Sequence, residues 1–317
     1  MNGSLQRDLI PVNAVIGFLK RDRRWPSVLY ELGYQLAMIE QPVNAPAIGT
    51  AELDVICLNH SRNHGMLWEC KAGRTLKESQ ARVYAAACAE DVQRTGNVTF
   101  PDPRSASVEP VYCCLEDDAR VAVETLLGWG LAIPVISLGE RAVLASGRFH
   151  DAEATKRFTV GVALPPLHEV PRFLIANTHT PKWQLARAFF ATLVSLLRKQ
   201  SGRISLRHVL EETFPDWACM GTDLRRYLQS MAREVVEDLC DNELKGFAKR
   251  VRPTHSPGEL FVEFTVDVLG QDASMRTRSF QKLARLAYGY IERTREQRPY
   301  QPTREAESLW LPGMEPE

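Results

Sequence analysis

Residues 53–72 read LDVICLN, HSRNHG, MLWECKA: two apolar runs on either side of a short polar loop. This pattern predicts a β-hairpin, two half-buried strands paired antiparallel across residues 60–65. Each run carries charge at odds with its surroundings. Glu52 and Asp54 stand at the head of the first, Glu69 and Lys71 at the tail of the second. Side chains two apart on a strand face the same side, about 6–7 Å apart. Glu69 and Lys71 therefore share a face, and Cys70 points the other way. Pairing across the loop brings the open end with Asp54 to the open end with Glu69 and Lys71. Two carboxylates and an ammonium then gather at one edge of a sheet.

The flanking segments set the fold class. Residues 25–41 carry Val28, Leu29, Leu32, Leu36 and Ile39 at helical spacing, with Pro26 suited to a first turn. The prolines of PVNAPAIGTA end that helix, and a strand around 43–50 is at best an edge strand. Residues 75–95 predict a helix with a Thr75–Glu78 capping box, closed by Gly96. A buried strand follows at 110–115, then a helix opened by Asp117 and Asp118, favourable charges at its positive end. A further apolar strand is expected at 132–139. Strand, helix, strand implies a parallel crossover, so the sheet is mixed and the class is α/β.

The character changes after a proline-rich stretch at 162–173, read as a linker. Helices are predicted at 181–199, with Thr180 as cap and Pro181 in first position, and at 204–214 and 223–244. Two strands joined by a Pro/Gly turn at 253–258 follow, and a last helix at 278–296. Three helices and then a hairpin form the outline of a winged helix. The expected division is 1–165, 166–298, and an extended or disordered tail at 299–317.

Composition narrows the function. The formal net charge is zero, which argues against an overall basic coat but allows a local basic groove. No apolar run approaches the ~20 residues of a membrane span, and the first 30 residues lack the apolar core of a signal peptide. The expected compartment is the cytosol. None of the seven cysteines forms a C-x-x-C pair or sits at zinc-finger spacing from a histidine. They read as reduced core residues. No phosphate-binding loop or dinucleotide fingerprint appears, so translocation on a nucleic acid would need a partner.

Two adjacent carboxylates repel and stay ionised cheaply only around a cation. Magnesium typically takes one or two carboxylates and keeps several waters. It lowers the pKa of a bound water and stabilises charge growing on a phosphate. Asp54, with Glu69-Cys70-Lys71 after fourteen intervening residues, resembles the PD-(D/E)XK nuclease superfamily, also called restriction-endonuclease-like. Its core is an α-β-β-β-α-β unit. Leu53 stands where the family name has proline. The Gln80-x-x-x-Tyr84 pair on the next helix resembles the RecB-type branch, and the wording around ELDV and WECK is similar to the nuclease domain of CRISPR ancillary nucleases. No cyclic-oligonucleotide sensor is evident here.

The resemblance implies magnesium or manganese held by Asp54, Glu69 and the Cys70 carbonyl. Lys71 would assist the attacking water, and Gln80 and Tyr84 would line the pocket. It also implies a further acid from the first helix, for which Glu31 and Glu40 are both candidates, Glu31 being nearer the helix start. Glu52 shares the Asp54 face of its strand. His60 and His64 read as parts of a solvated turn. In the second half, Arg225, Arg226 and Arg233, with Lys245, Lys249, Arg250 and Arg252, could meet phosphates. Lys20, Arg21, Arg23 and Arg24 form another basic run.

The expectation is a metal-dependent DNA endonuclease suited to defence against phage or plasmids, or to mobile-element processing. The alternatives are a non-catalytic DNA-binding or scaffold protein and an RNA-directed nuclease. DNA is the expected partner. A protein activator, a helicase or ATPase, a sensor and self-association stay open.

Overall fold

The computed structural model describes residues 7–95, 98–177, 180, 182–199, 203–245, 248–251 and 260–264, with residues 285, 289, 290 and 293. The described chain forms two compact units. One runs to Ile175 and includes Ala218–Asp223; the other holds Ala176–Trp217 and the residues from Leu224 onward.

The first unit is built on a seven-stranded mixed sheet in sequential order. Its strands are β1 (Gln35–Ala45), β2 (Gly49–Asn59), β3 (His64–Lys71), β4 (Ser107–Leu115), β5 (Val135–Leu138), β6 (Arg141–Ser146) and β7 (Val162–Ala163). The first three pair antiparallel, β3–β4 and β4–β5 are parallel, and β5–β6–β7 are antiparallel again. Parallel neighbours need crossovers. These are α3 (Glu78–Ala86) with α4 (Ala89–Thr95), and α5 (Glu116–Gly128). Before the sheet come α1 (Leu9–Phe18) and α2 (Val28–Glu31), and α6 (Ala152–Val160) precedes β7.

Both faces of the sheet are covered. Ile56, Leu67, Tyr112 and Cys114 share one core with Tyr84 of α3 and Ala119 and Ala122 of α5. On the other face Trp68 packs on Phe149, Phe149 on Phe158 of α6, and Phe158 on Phe18 of α1. Asn13, buried in α1, ties down the end of this unit. Its amide donates to the Leu174 carbonyl at 2.8 Å and accepts the N–H groups of Phe173 and Leu174.

The hairpin and the parallel crossovers follow the pattern read from the sequence, but other elements differ. The helix expected over 25–41 stops at Glu31. Gly33 at φ 87° leaves the helical region, and residues 35–45 form an edge strand instead. Leu36 and Ile39 stand at helical spacing, three apart, but pairing with β2, across a bulge between Leu36 and Met38, decides for the strand. Pro42 is tolerated there because β1 has one unpaired side.

The helix expected over 75–95 is broken at Ala87, whose backbone is extended. Asp91 accepts the Cys88 N–H at 3.1 Å and starts a new helix. The Thr75–Glu78 box does not form: Lys77 occupies the cap position and Glu78 pairs with Arg82. The strand β6 and the helix α6 have no counterpart among the elements expected from the sequence, and β7 takes the first residues of the expected linker.

The second unit contains α7 (Lys182–Lys199), β8 (Arg203–Ser205), α8 (Leu206–Thr213), α9 (Thr222–Asp241), β9 (Ala248–Val251) and β10 (Phe261–Phe264). Its strands form an antiparallel sheet in the order β8-β10-β9. Three helices and a hairpin, with a short strand added beside β10, match the winged-helix outline. Gly96, Pro181, the turn at 253–258, all but four residues of the helix at 278–296, and the tail lie outside the described residues.

Close packing around α1 makes one stability prediction. A Cβ on Gly17 would lie 2.4 Å from the Trp25 ring, and that ring is buried. Gly17→Ala should destabilise the protein by about 1–3 kcal/mol through overpacking. Leu127→Ala, at an exposed position, should stay within about 0.5 kcal/mol. Urea unfolding of the two variants beside the wild type measures both.

Candidate active site

The ladder between β2 and β3 ends at the pair Val55–Trp68. One step further, Asp54 stands opposite Glu69 on the same face. The backbone hydrogen bond that would come next is replaced by a side chain: Asp54 Oδ2 accepts the Cys70 N–H at 2.6 Å. A strand residue presents its N–H and C=O to the same neighbour. The Cys70 carbonyl therefore faces the same side, past the last ladder pair. Its thiol is buried on the opposite face beside Cys113.

Glu69 is held from two sides. Lys71 Nζ contacts its Oε1, and the Tyr84 hydroxyl lies 2.9 Å from its Oε2. The same hydroxyl contacts the Glu52 carbonyl. Tyr84 is buried in α3, and Gln80 is half-buried one helical turn before it. Sequence reasoning had not singled out Tyr112. It reaches the site because β4 pairs parallel with β3 and places it beside Glu69. That register is a long-range property with no local signal.

The electrostatics are those of crowded acids. Loss of water, and next the charge of Glu69, pushes the Asp54 carboxyl well above its ordinary value, against the pull of the Cys70 N–H and Lys71. Loss of water also raises Glu69, although Lys71 and Tyr84 act the other way. Lys71 loses water too, but Glu69 and Asp54 outweigh this and raise its pKa, which keeps it an ammonium. Two hard oxygen donors side by side, each disfavoured as an isolated anion, fit a divalent cation such as magnesium or manganese. Asp54, Glu69 and the Cys70 carbonyl are the groups that could hold it.

Of the two candidates for a further acid, the structure separates Glu31 from the site. Glu31 ends α2 and pairs with Arg157 of α6. Glu40 lies between Ile39, paired with Val55, and Gln41, paired with Leu53, which places it across from Asp54. It is buried and its charge adds to the upward push on Asp54. Its φ of 48° is rare for a residue with a side chain, a conformation that costs about 1–3 kcal/mol and tends to cluster at functional sites. Gly221 packs against it: a Cβ there would fall 1.9 Å from the Glu40 carbonyl oxygen. The Gly221 N–H bonds to Ile39 at 2.7 Å.

His60 opens a short 3-10 turn, whereas His64 is a buried residue at the start of β3. The solvated turn expected for both holds for His60 alone. In the second unit Arg225 and Arg226 lie on α9. Lys249 pairs with Glu263 at 3.5 Å, and Arg250 with Asp241 at 2.8 Å, so those two charges are partly neutralised.

A family model described as the MJECL32 domain is similar to residues 8–117. That segment runs from the turn before α1 to the start of α5 and contains all the carboxylate-site residues named above. No curated protein and no solved structure matches the chain.

Acids with raised pKa values bind more protons folded than unfolded. Their contribution to stability is present at low pH and is lost as pH rises from the ordinary carboxylate range through the raised folded values. Without metal, the melting temperature should fall across that window. Asp54→Asn should flatten the fall and melt a few degrees higher at neutral pH. Thermal melts of wild type and variant from pH 4 to 8 in EDTA check this.

Proposed function

We propose that the first unit is a metal-dependent nuclease of the PD-(D/E)XK kind that hydrolyses phosphodiester bonds in DNA. The observation that carries this reading is Asp54 and Glu69 side by side on one face, with Lys71 in contact with Glu69. The element order adds support. Helix, three antiparallel strands, helix and a parallel strand run from α1 to β4, the α-β-β-β-α-β order of that superfamily.

In this reading Asp54, Glu69, the Cys70 carbonyl and Glu40 hold magnesium or manganese. A bound ion of this kind supplies an activated water and charge stabilisation at the phosphate. The other groups act by position. The Cys70 N–H fixes Asp54 by one oxygen. Tyr84 sets its hydroxyl against both Glu69 and the Glu52 carbonyl of β2, with one proton to donate to either. The Lys71 ammonium is placed to donate to a water or to a phosphate oxygen. Gln80, half-buried one turn from Tyr84, would line the pocket.

The basic side chains Arg225 and Arg226 of the winged-helix-like unit are the proposed duplex contacts. Lys249 and Arg250 would have to exchange their acidic partners for phosphates. A role in defence or in mobile-element processing rests on the resemblance.

Removing one metal-holding carboxylate should remove several kcal/mol of transition-state stabilisation, a loss of about a hundredfold or more in rate. Plasmid cleavage in magnesium or manganese should therefore disappear in EDTA and collapse in Glu69→Gln and Lys71→Ala. Both variants should keep the wild-type fold by circular dichroism. Retention on duplex DNA with no turnover, and no stability gain from magnesium, would favour the scaffold reading. Faster cutting of a matched RNA oligonucleotide would redirect the activity to RNA. Glu69→Gln cutting at the wild-type rate would remove the catalytic assignment.

A further inference from the structure

The opposite face of the sheet carries a second buried polar cluster. His64 begins β3, Glu109 lies in β4, and His150 sits in the loop before α6. One ligand atom from each lies within 4.8 Å of the other two. His64 and Glu109 are 5% and 3% exposed, and His150 is exposed. Along β3 this cluster lies five residues from Glu69, about 17 Å at ~3.3 Å per residue. Met66 pairs with Glu109, and Leu67 with Ile56. That alternation puts His64 and Glu109 on the Trp68 face, away from the carboxylate site.

Neighbouring hydrogen bonds surround the cluster. Asp151 accepts from Arg62 and from the N–H groups of Glu153 and Ala154. Tyr34 donates its one hydroxyl proton to Asp151 at 3.1 Å. The same hydroxyl lies 2.7 Å from His64 Nδ1. With Nδ1 as the donor in that contact, His64 presents its lone pair at Nε2. Nε2 faces Glu109 Oε1 at 3.3 Å, and neither atom has a hydrogen-bond partner among the described residues. Glu109 Oε2 is occupied by the His150 N–H at 2.8 Å.

A buried pair placed this way is bridged by a proton or by a metal ion, and a third donor, from His150, lies within 4.8 Å of both. The 3.3 Å between His64 Nε2 and Glu109 Oε1 matches the ~3.3 Å between ligand atoms that stand ~2.0–2.1 Å from a tetrahedral zinc. Two imidazoles and one carboxylate select a first-row transition ion over magnesium. The Asp151–Tyr34–His64 chain has the form of the outer partners that orient ligating histidines.

We propose that His64, Glu109 and His150 form a second metal site, specific for a zinc-class divalent ion and separate from the carboxylate site. The ion joins the starts of β3 and β4 to the loop before α6. Three protein ligands leave a further position for water or another small ligand, on the solvent side where His150 is exposed.

The test is metal titration of the untagged, full-length protein after EDTA treatment and dialysis. Zn²⁺ is followed by calorimetry and thermal melting, and Co²⁺ by its visible absorption. The wild type should bind one equivalent at this site, gain thermal stability, and give the intense bands of four-coordinate Co²⁺. His150→Ala, at an exposed position where folding is not at stake, should weaken binding and abolish those bands. Glu109→Gln should do the same. Tyr34→Phe should weaken binding by about tenfold to a hundredfold through loss of the orienting bond. Asp54→Asn should retain the site. The proposal fails if no saturable Zn²⁺ binding occurs, if His150→Ala and Glu109→Gln bind as tightly as wild type, or if Asp54→Asn removes the Co²⁺ bands. Failure by any of these routes leaves magnesium-dependent cleavage untouched, so the two sites are judged separately.

Discussion

The Asp54 carboxylate takes over from the backbone where the β2–β3 ladder ends. It accepts the Cys70 N–H at 2.6 Å, one step beyond the last paired residues Val55 and Trp68. Everything at the carboxylate site depends on that substitution. It holds the two strands together without a backbone bond, fixes Asp54 by one oxygen, and leaves Glu69 across from it. A slip of one residue in this register would send Glu69 to the Trp68 face and bring Cys70 in its place. The buried pairs Ile56–Leu67 and Val55–Trp68 resist such a slip, because it would exchange the packing of both faces at once.

Crowding acids at a sheet end is unfavourable by itself. Loss of water raises both Asp54 and Glu69, and Glu40 adds to the same field from β1. Lys71 and the Tyr84 hydroxyl offset only part of this. Stored unfavourable energy of this kind is expected where a cation or a charged substrate belongs. The left-handed backbone at Glu40, held by Gly221 against its carbonyl, is a second local cost at the same place. Both have a common physical reading: the fold is stable enough elsewhere, through two covered sheet faces, to hold groups that would separate if free.

The sheet also separates two chemistries. Residues alternate along β3, so Glu69 and Lys71 reach the α3 side while His64, Met66 and Trp68 reach the α1 and α6 side. One face gathers hard oxygen donors near its end. The other gathers imidazoles and one carboxylate near the opposite end. Their donor sets differ in kind, which is why oxygen-seeking and nitrogen-seeking ions would sort between them.

What could be read from the residues alone was whatever short-range periodicity controls. The hairpin, the shared face of Glu69 and Lys71, the approach of Asp54, and the parallel crossovers after it all follow from alternation, loop length and strand–helix–strand order. Other features need partners distant in the chain. Leu36 and Ile39 stand at helical spacing, and only pairing with Cys57 and Val55, across a bulge, makes that segment β1. Placing Glu40 rather than Glu31 beside Asp54 follows from the same pairing. Tyr112 beside Glu69, and Glu109 beside His64, come from a parallel register between strands some forty residues apart. No local pattern encodes that register, because it is set by packing both faces of the sheet against helices. The sequence by itself therefore determined which charged residues gather at the end of the hairpin. The tertiary structure alone decided which distant residues join them, since side-chain alternation acts within a strand and register acts between strands.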